Sequence, residues 1–209
     1  MSKFSRHAGK NIRELAMRRR AEAFASYITA GLIGVIWINS ITSIFSVPLI
    51  IIAIGLIANG AFLWKRANHA DQGAKGEEDI AQAIAQLENQ DWQIEYGIQL
   101  GNRLGDLDIF CISPQGKAFA IDVKSHRGEV ITDGKELYRR MGNKKYPFEK
   151  NFIQQVIKQA LQIKQQKDLP FVTPIVAFST ARVSIQGDKL KNVYVVEKAK
   201  LVSLLKSLG

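Results

Sequence analysis

The sequence predicts an α/β protein in two parts: a helical membrane hairpin, then one domain whose elements run αβββ(ββ)αββα. Three observations carry that reading. The 41 residues from Phe24 to Trp64 include no charged side chain. The 145 residues that follow are close to the usual size of one compact domain with its own core. Within those 145, helical and alternating periodicities succeed one another, each ended by turn residues.

The composition excludes a disordered or fibrous chain: 46% of the 209 residues are apolar and 23% are charged. Lys and Arg number 29 against 19 Asp and Glu, and the net charge of +10 is shared equally, +5 before the uncharged stretch and +5 after it. A basic domain suits a polyanion, but surplus lysine is also ordinary on a soluble surface, so charge alone does not decide the partner. Cys111 is the sole cysteine and lies in the apolar run Ile109-Phe110-Cys111-Ile112, which predicts a buried thiol and no intrachain disulfide. His7, His69 and His126 are far apart and make no zinc-binding spacing.

A bilayer span takes about 20 apolar residues, so the uncharged stretch holds two spans. Polar and helix-disfavouring residues at Asn39, Ser40, Ser43, Ser46 and Pro48 separate residues 24–38 from 49–64 and predict a hairpin. A cleaved signal peptide is disfavoured because the apolar run starts after 23 residues, is too long for a signal core and has no clear small-residue cleavage site. Lys10, Arg13, Arg18, Arg19 and Arg20 precede the spans, Lys65 and Arg66 follow them, and the connecting turn carries no cation. That asymmetry predicts a multi-pass protein of the inner (cytoplasmic) membrane with both ends and the domain in the cytoplasm. Residues 10–23 read either as a basic helix on anionic lipid or as charges that only set topology. The expected organisation is a basic arm at 1–23, a transmembrane hairpin at 24–64, a linker at 65–72 that overlaps the small polar run 67–75, and the domain at 73–209.

The domain opens with a helix from Gly76, where Ile80, Ile84 and Leu87 fall on one stripe and Glu77, Glu78 and Asp79 occupy the first turn. Strands are expected at 92–98, 107–112, 118–123, 129–132 and 136–140, with hairpin turns at Gly101-Asn102, Ser113-Pro114-Gln115-Gly116 and Asp133-Gly134. A helix at 149–167 carries Phe152, Val156, Ala160 and Ile163 on one stripe, and strands at 172–178 and 193–196 and a helix from Lys198 complete the order.

Strand alternation puts Phe119, Ile121 and Val123 on one face and Asp122 with Lys124 on the other. Asp106 and Asp108 share a face of the preceding strand in the same way. Two or three carboxylates then converge beside one lysine. Oxygen-only ligands suit Mg²⁺ or Mn²⁺, and with Lys124 beside an attacking water this is the outline of a phosphodiester hydrolysis site. Taken alone, Asp-x-Lys is equally the pattern of a surface ion pair on a solvated sheet face.

In combination the motifs are more specific. Gly73-Ala74-Lys75-Gly76-Glu77, Gly105-Asp106-Leu107-Asp108, Ile121-Asp122-Val123-Lys124, Gly128 and the helix with Asn151-Phe152-Ile153-Gln154-Gln155 together resemble the nuclease-related domain (NERD) family of the PD-(D/E)XK nuclease-like superfamily. The resemblance covers about residues 70–180. It implies a restriction-endonuclease-like αβββαβ core with a mixed sheet. It also implies Glu77 as the first-helix acid, Asp108 and Asp122 as metal ligands with Glu77, Lys124 as the catalytic lysine and Gln155 as the glutamine of the later helix. Phe152 stands where the family has proline, and Glu78 and Asp106 are substitutes for Glu77 and Asp108.

His126, Arg127, Lys135, Arg139, Arg140, Lys144 and Lys145 follow the site, interleaved with Tyr138 and Tyr146, in a pattern suited to phosphate contacts or to a solvated hairpin. The expected function is hydrolysis of DNA by a Mg²⁺-dependent nuclease tethered to the lipid bilayer. The rivals are an inactive nucleic-acid-binding module and a membrane-tethered interaction scaffold.

Overall fold

The structure, a computed structural model, describes residues 9–39, 46–101 and 105–209. Helices α1 (Lys10–Asn39) and α2 (Ser46–Ile84) bring residues 10–74 together as one compact unit, and residues 75–209 form a second unit that also includes Gly9.

In the first unit the helices pair antiparallel along a seam of small residues. Ala16, Ala23 and Ala30 are buried on α1, and Gly60, Ala67 and Ala74 on α2. Both series step by seven residues, the spacing that keeps one stripe on a coiled-coil seam. Gly60 lies against the Tyr27 ring, Asn59 Nδ2 donates to Ser26 Oγ at 3.1 Å, and Phe24 meets Trp64 edge-on at 5.5 Å. Below that level Arg19 donates to the Arg66 carbonyl at 3.3 Å and Arg20 pairs with Asp71. Both helices are long and apolar enough to cross a bilayer, and most side chains of their apolar stretches face outward.

This seam corrects two expectations. Residues 65–72 are not a linker: they are the interior of α2, held helical by Ala67 and Ala74 against α1. Likewise residues 10–23 form no separate arm but belong to α1. Pro48 falls in the first turn of α2, where its missing N–H costs no helical hydrogen bond. The predicted turn around Ser43 lies outside the described residues.

The second unit is a mixed sheet between helices. Strands β1 (Gln93–Gln99), β2 (Asp106–Ile112) and β3 (Ala118–Lys124) are antiparallel neighbours, and β7 (Val172–Phe178) and β10 (Val193–Glu197) continue the sheet parallel to β3. The antiparallel β9 (Lys189–Leu190) closes its edge. The Ser113–Gly116 turn sets the β2–β3 register, as the sequence predicts, whereas residues 102–104 of the β1–β2 connection lie outside the described residues. Helix α3 (Phe152–Gln166), capped by Asn151 Oδ1 on the Gln154 N–H at 3.0 Å, packs Ala160 and Ile163 on Phe110, Ala118 and Ala120. On the opposite face Ile80, Ile84 and Leu87 meet Phe119, Ile121 and Cys111, with Leu201 and Leu205 of α4 (Lys198–Leu208). Each fully buried side chain of this size stabilises the fold by about 1.5–3 kcal/mol relative to exposure. The Cys111 thiol is buried, as expected, and burial raises its pKa.

A second sheet, ordered β6-β5-β4-β8, leans on the first: β4 (Glu129–Thr132), β5 (Leu137–Met141), β6 (Lys144–Pro147) and β8 (Arg182–Val183). Asp133 builds the β4–β5 turn by accepting from the Lys135 and Glu136 N–H groups at 2.9 Å each, beside Gly134 at φ 88°. Strand β6 is absent from the sequence reading because Lys144-Lys145-Tyr146 has no apolar alternation; pairing to β5 makes it a strand.

Candidate active site

Strands β3 and β7 end side by side, and the acidic residues gather at that end. Asp122 and Lys124 share a face of β3, and Lys124 Nζ lies 2.7 Å from Asp122 Oδ2. Asp122 is 1% exposed, so this is not the surface ion pair that Asp-x-Lys otherwise suggests. Gln155, one turn into α3, donates Nε2 to the other carboxylate oxygen at 3.2 Å. The ring of Phe152 lies beneath the lysine, 4.9 Å from Nζ.

The β2–β3 ladder pairs Ile109 with Ile121, and just beyond it Asp108 Oδ2 accepts the Val123 N–H at 2.6 Å. The side chain thus takes a place the partner strand's carbonyl would otherwise hold, which fixes Asp108 beside Asp122. Glu77 arrives from the other side of the sheet. The approach depends on Gly76: a Cβ there would fall 2.8 Å from both Ser125 Cβ and Ser179 Oγ, atoms at the ends of β3 and β7. Glu77 Oε2 also accepts the Gly9 N–H at 3.1 Å.

The electrostatics follow from burial and crowding. Burial pushes Glu77 up to about 7; the Gly9 N–H and Lys124 oppose this, and Asp122 and Asp106 add to it. Asp108 rises well above the usual carboxylate range, first through burial and then through the charges of Asp122 and Glu77. Burial raises Asp122 as well, against the pull of Lys124 and Lys150. Such a cluster favours a cation among its oxygens. Among the described residues no three His, Cys, Asp or Glu side chains close into a complete metal cage. Mg²⁺ usually takes only one or two carboxylates and fills its remaining positions with water and substrate phosphate, so Asp108 and Asp122 fit that ion as a donor set.

Of the substitutes, Asp106 is exposed at the start of β2, where Gln159 Nε2 donates to its carbonyl at 3.1 Å, and its charge still reaches Glu77. The seven expected nucleic-acid contacts do not form one patch. His126 is half-buried, its ring 5.0 Å from Phe148 and 5.5 Å from Phe152. Arg140 is tied to Glu129 at 2.5 Å on one face of the second sheet, where Lys145 covers the Tyr138 ring at 3.6 Å. Arg139 and Lys144 occupy the other face, Arg127 is exposed in the β3–β4 connection, and Lys135 sits in the β4–β5 turn. Sequence reasoning missed Phe152 and Lys150 as neighbours of Lys124 and Asp122. The signal for Phe152 was its position one turn before Gln155 on α3, and Lys150 stands just ahead of the Asn151 cap of that helix.

A mixed sheet between helices, with three acids and one lysine where two parallel strands end, defines a nuclease-like core. The model of the nuclease-related domain (NERD) family matches residues 72–179, and the chain belongs to that family. No curated protein and no solved structure matches it.

Proposed function

We propose that the chain is a membrane-anchored, Mg²⁺-dependent nuclease that hydrolyses phosphodiester bonds, with DNA as its substrate. The observation that carries this reading is the buried Asp122–Lys124 pair at 2.7 Å with Asp108 beside it. A buried ion pair is a poor device for stability, since desolvation offsets much of its Coulomb energy. It is a good device for chemistry, because it holds a cation in place where a charged transition state forms.

In this reading Asp108 and Asp122 would hold Mg²⁺ (or Mn²⁺), with Glu77 beside them and not closing a three-carboxylate set, and the ion would offset charge on the phosphoryl oxygens and acidify a water. Lys124 hydrogen-bonds the attacking water and a phosphoryl oxygen. Water oxygen attacks phosphorus and gives up a proton to solvent, the bond to the leaving sugar oxygen breaks, and that oxygen takes a proton back from solvent, so no net proton is lost in the step. Gln155 holds Asp122 so that its second oxygen stays on Lys124. Helices α1 and α2 anchor the domain to the bilayer, their outward apolar side chains meeting lipid.

The test is incubation of the full chain in detergent with linear, circular, branched and single-stranded DNA, and with RNA, with Mg²⁺ or Mn²⁺ or a chelator. Metal-dependent cleavage of DNA is expected. Binding without cleavage of any substrate replaces the enzyme by a nucleic-acid-binding module, and absence of both leaves an interaction scaffold.

A further inference from the structure

We propose that one face of the second sheet, formed by Arg139, Tyr146 and Lys144, is a stacking platform that leads a single-stranded nucleic-acid segment to Lys124. The proposal rests on the nuclease reading and adds the form of the substrate beside the site.

The two faces of this sheet differ. Residues paired directly across strands project to the same side. Val130 pairs with Arg139 and Arg139 with Tyr146, so these three share one face, joined by Leu137, Met141 and Lys144. Val130 and Leu137 pack against Phe152 and Phe178, which identifies that face as the one turned toward α3 and the active site. His126 stacks on Phe152 and Phe148; burial and the charges of Arg139 and Lys124 disfavour its protonation, and the Glu149 carboxylate opposes them. Lys124 and His126 thus share the Phe152 ring, and Val130 and Leu137 join that ring to the face that carries Arg139 and Tyr146.

On the opposite face the arginine is paired and the aromatic ring is already covered, by Lys145 at 3.6 Å. Arg140 is neutralised by Glu129, and the Tyr138 hydroxyl donates to Asp133 at 2.9 Å. On the platform face Arg139 has no carboxylate partner among the described residues, and its guanidinium stands 5.9 Å from the centre of the Tyr146 ring. Tyr146 is 41% exposed and Met141 45% exposed. Arg139 and Lys144, which form no ion pair among the described residues, match a phosphate backbone, and the Tyr146 ring, with Arg139 on one face, offers its exposed remainder to an unpaired base. A duplex keeps its base faces stacked and would need only the cations, whereas the ring has a use only for a base that is free to stack.

The experiment measures fluorescence anisotropy of a labelled single-stranded oligonucleotide and of the same sequence as a blunt duplex, titrated with the full chain in detergent. Wild type, Tyr146→Leu and Tyr146→Phe are compared in buffer free of Mg²⁺ and Mn²⁺ with chelator, so that binding is read without turnover. Tyr146→Leu should weaken single-strand binding roughly tenfold, within the range for losing one base–aromatic stack, and leave duplex binding unchanged. Tyr146→Phe should keep wild-type affinity for both. The proposal is overturned if Tyr146→Leu binds the single strand like wild type, or if it loses single strand and duplex equally. Should the binding pattern hold while no substrate is cut with either metal, the platform stands and the nuclease reading fails.

Discussion

Gln155 and Lys124 hold opposite oxygens of the same carboxylate: the amide of Gln155 donates to Asp122 Oδ1 at 3.2 Å, and the ammonium of Lys124 lies 2.7 Å from Oδ2. With Asp122 only 1% exposed, water cannot replace either partner. Gln155→Leu should therefore leave a buried acceptor unpaired and lower unfolding free energy by about 1–3 kcal/mol. Denaturant unfolding measures this, and the same variant should cut more slowly because Asp122 is no longer fixed.

The acids crowd one another, and stability should report it. Burial pushes the Glu77 carboxyl up to about 7 in the folded chain, against 4.5 for the exposed side chain, so between these the folded state binds more protons than the unfolded one. Its contribution is fully present below about 4.5 and is lost as pH rises through 7. In metal-free buffer the melting temperature should thus fall from pH 4.5 to 7, and Glu77→Gln should flatten that part of the profile. A profile unchanged by Glu77→Gln would show that Glu77 does not share the buried cluster.

Much of this geometry was legible in the sequence, and the rest was not for identifiable reasons. Alternation in β3 put Asp122 and Lys124 on one face, and the short Ser113–Gly116 turn brought β2 alongside. Burial was not legible: Asp-x-Lys at a strand end reads the same whether or not α3 covers it. Residues 65–72 looked like a linker because their helical signal is an alanine every seventh residue, which is visible only once α1 supplies the matching series. The basic residues after the site read as one cluster in sequence, but pairing of β5 with β4 and β6 sends Arg139 and Arg140 to opposite faces. Glu77 reaches the site only because Gly76 admits close contact with Ser125 and Ser179, a tertiary fact.

The membrane reading has its own test. Lys and Arg flank both outer ends of the apolar helices and are missing from the turn between them. Reporter fusions at Gly209 and at Ser43 should place the first in the cytoplasm and the second outside. A reporter at Gly209 that is active only outside the cytoplasm contradicts the hairpin.

The central claim is that Lys124 acts on a phosphodiester beside Asp122 and Asp108, and the most direct measurement compares cleavage by wild type and Lys124→Ala in Mg²⁺. Lys124→Ala removes the cation but no metal ligand, so cleavage should fall by at least about a hundredfold, the scale for losing one group that stabilises transition-state charge. Binding of the same substrate, read by gel shift, should fall only modestly, because one phosphate contact among several is lost. Lys124→Arg keeps the charge but not the geometry and should also cut poorly. A Lys124→Ala chain that cleaves as fast as wild type contradicts the account.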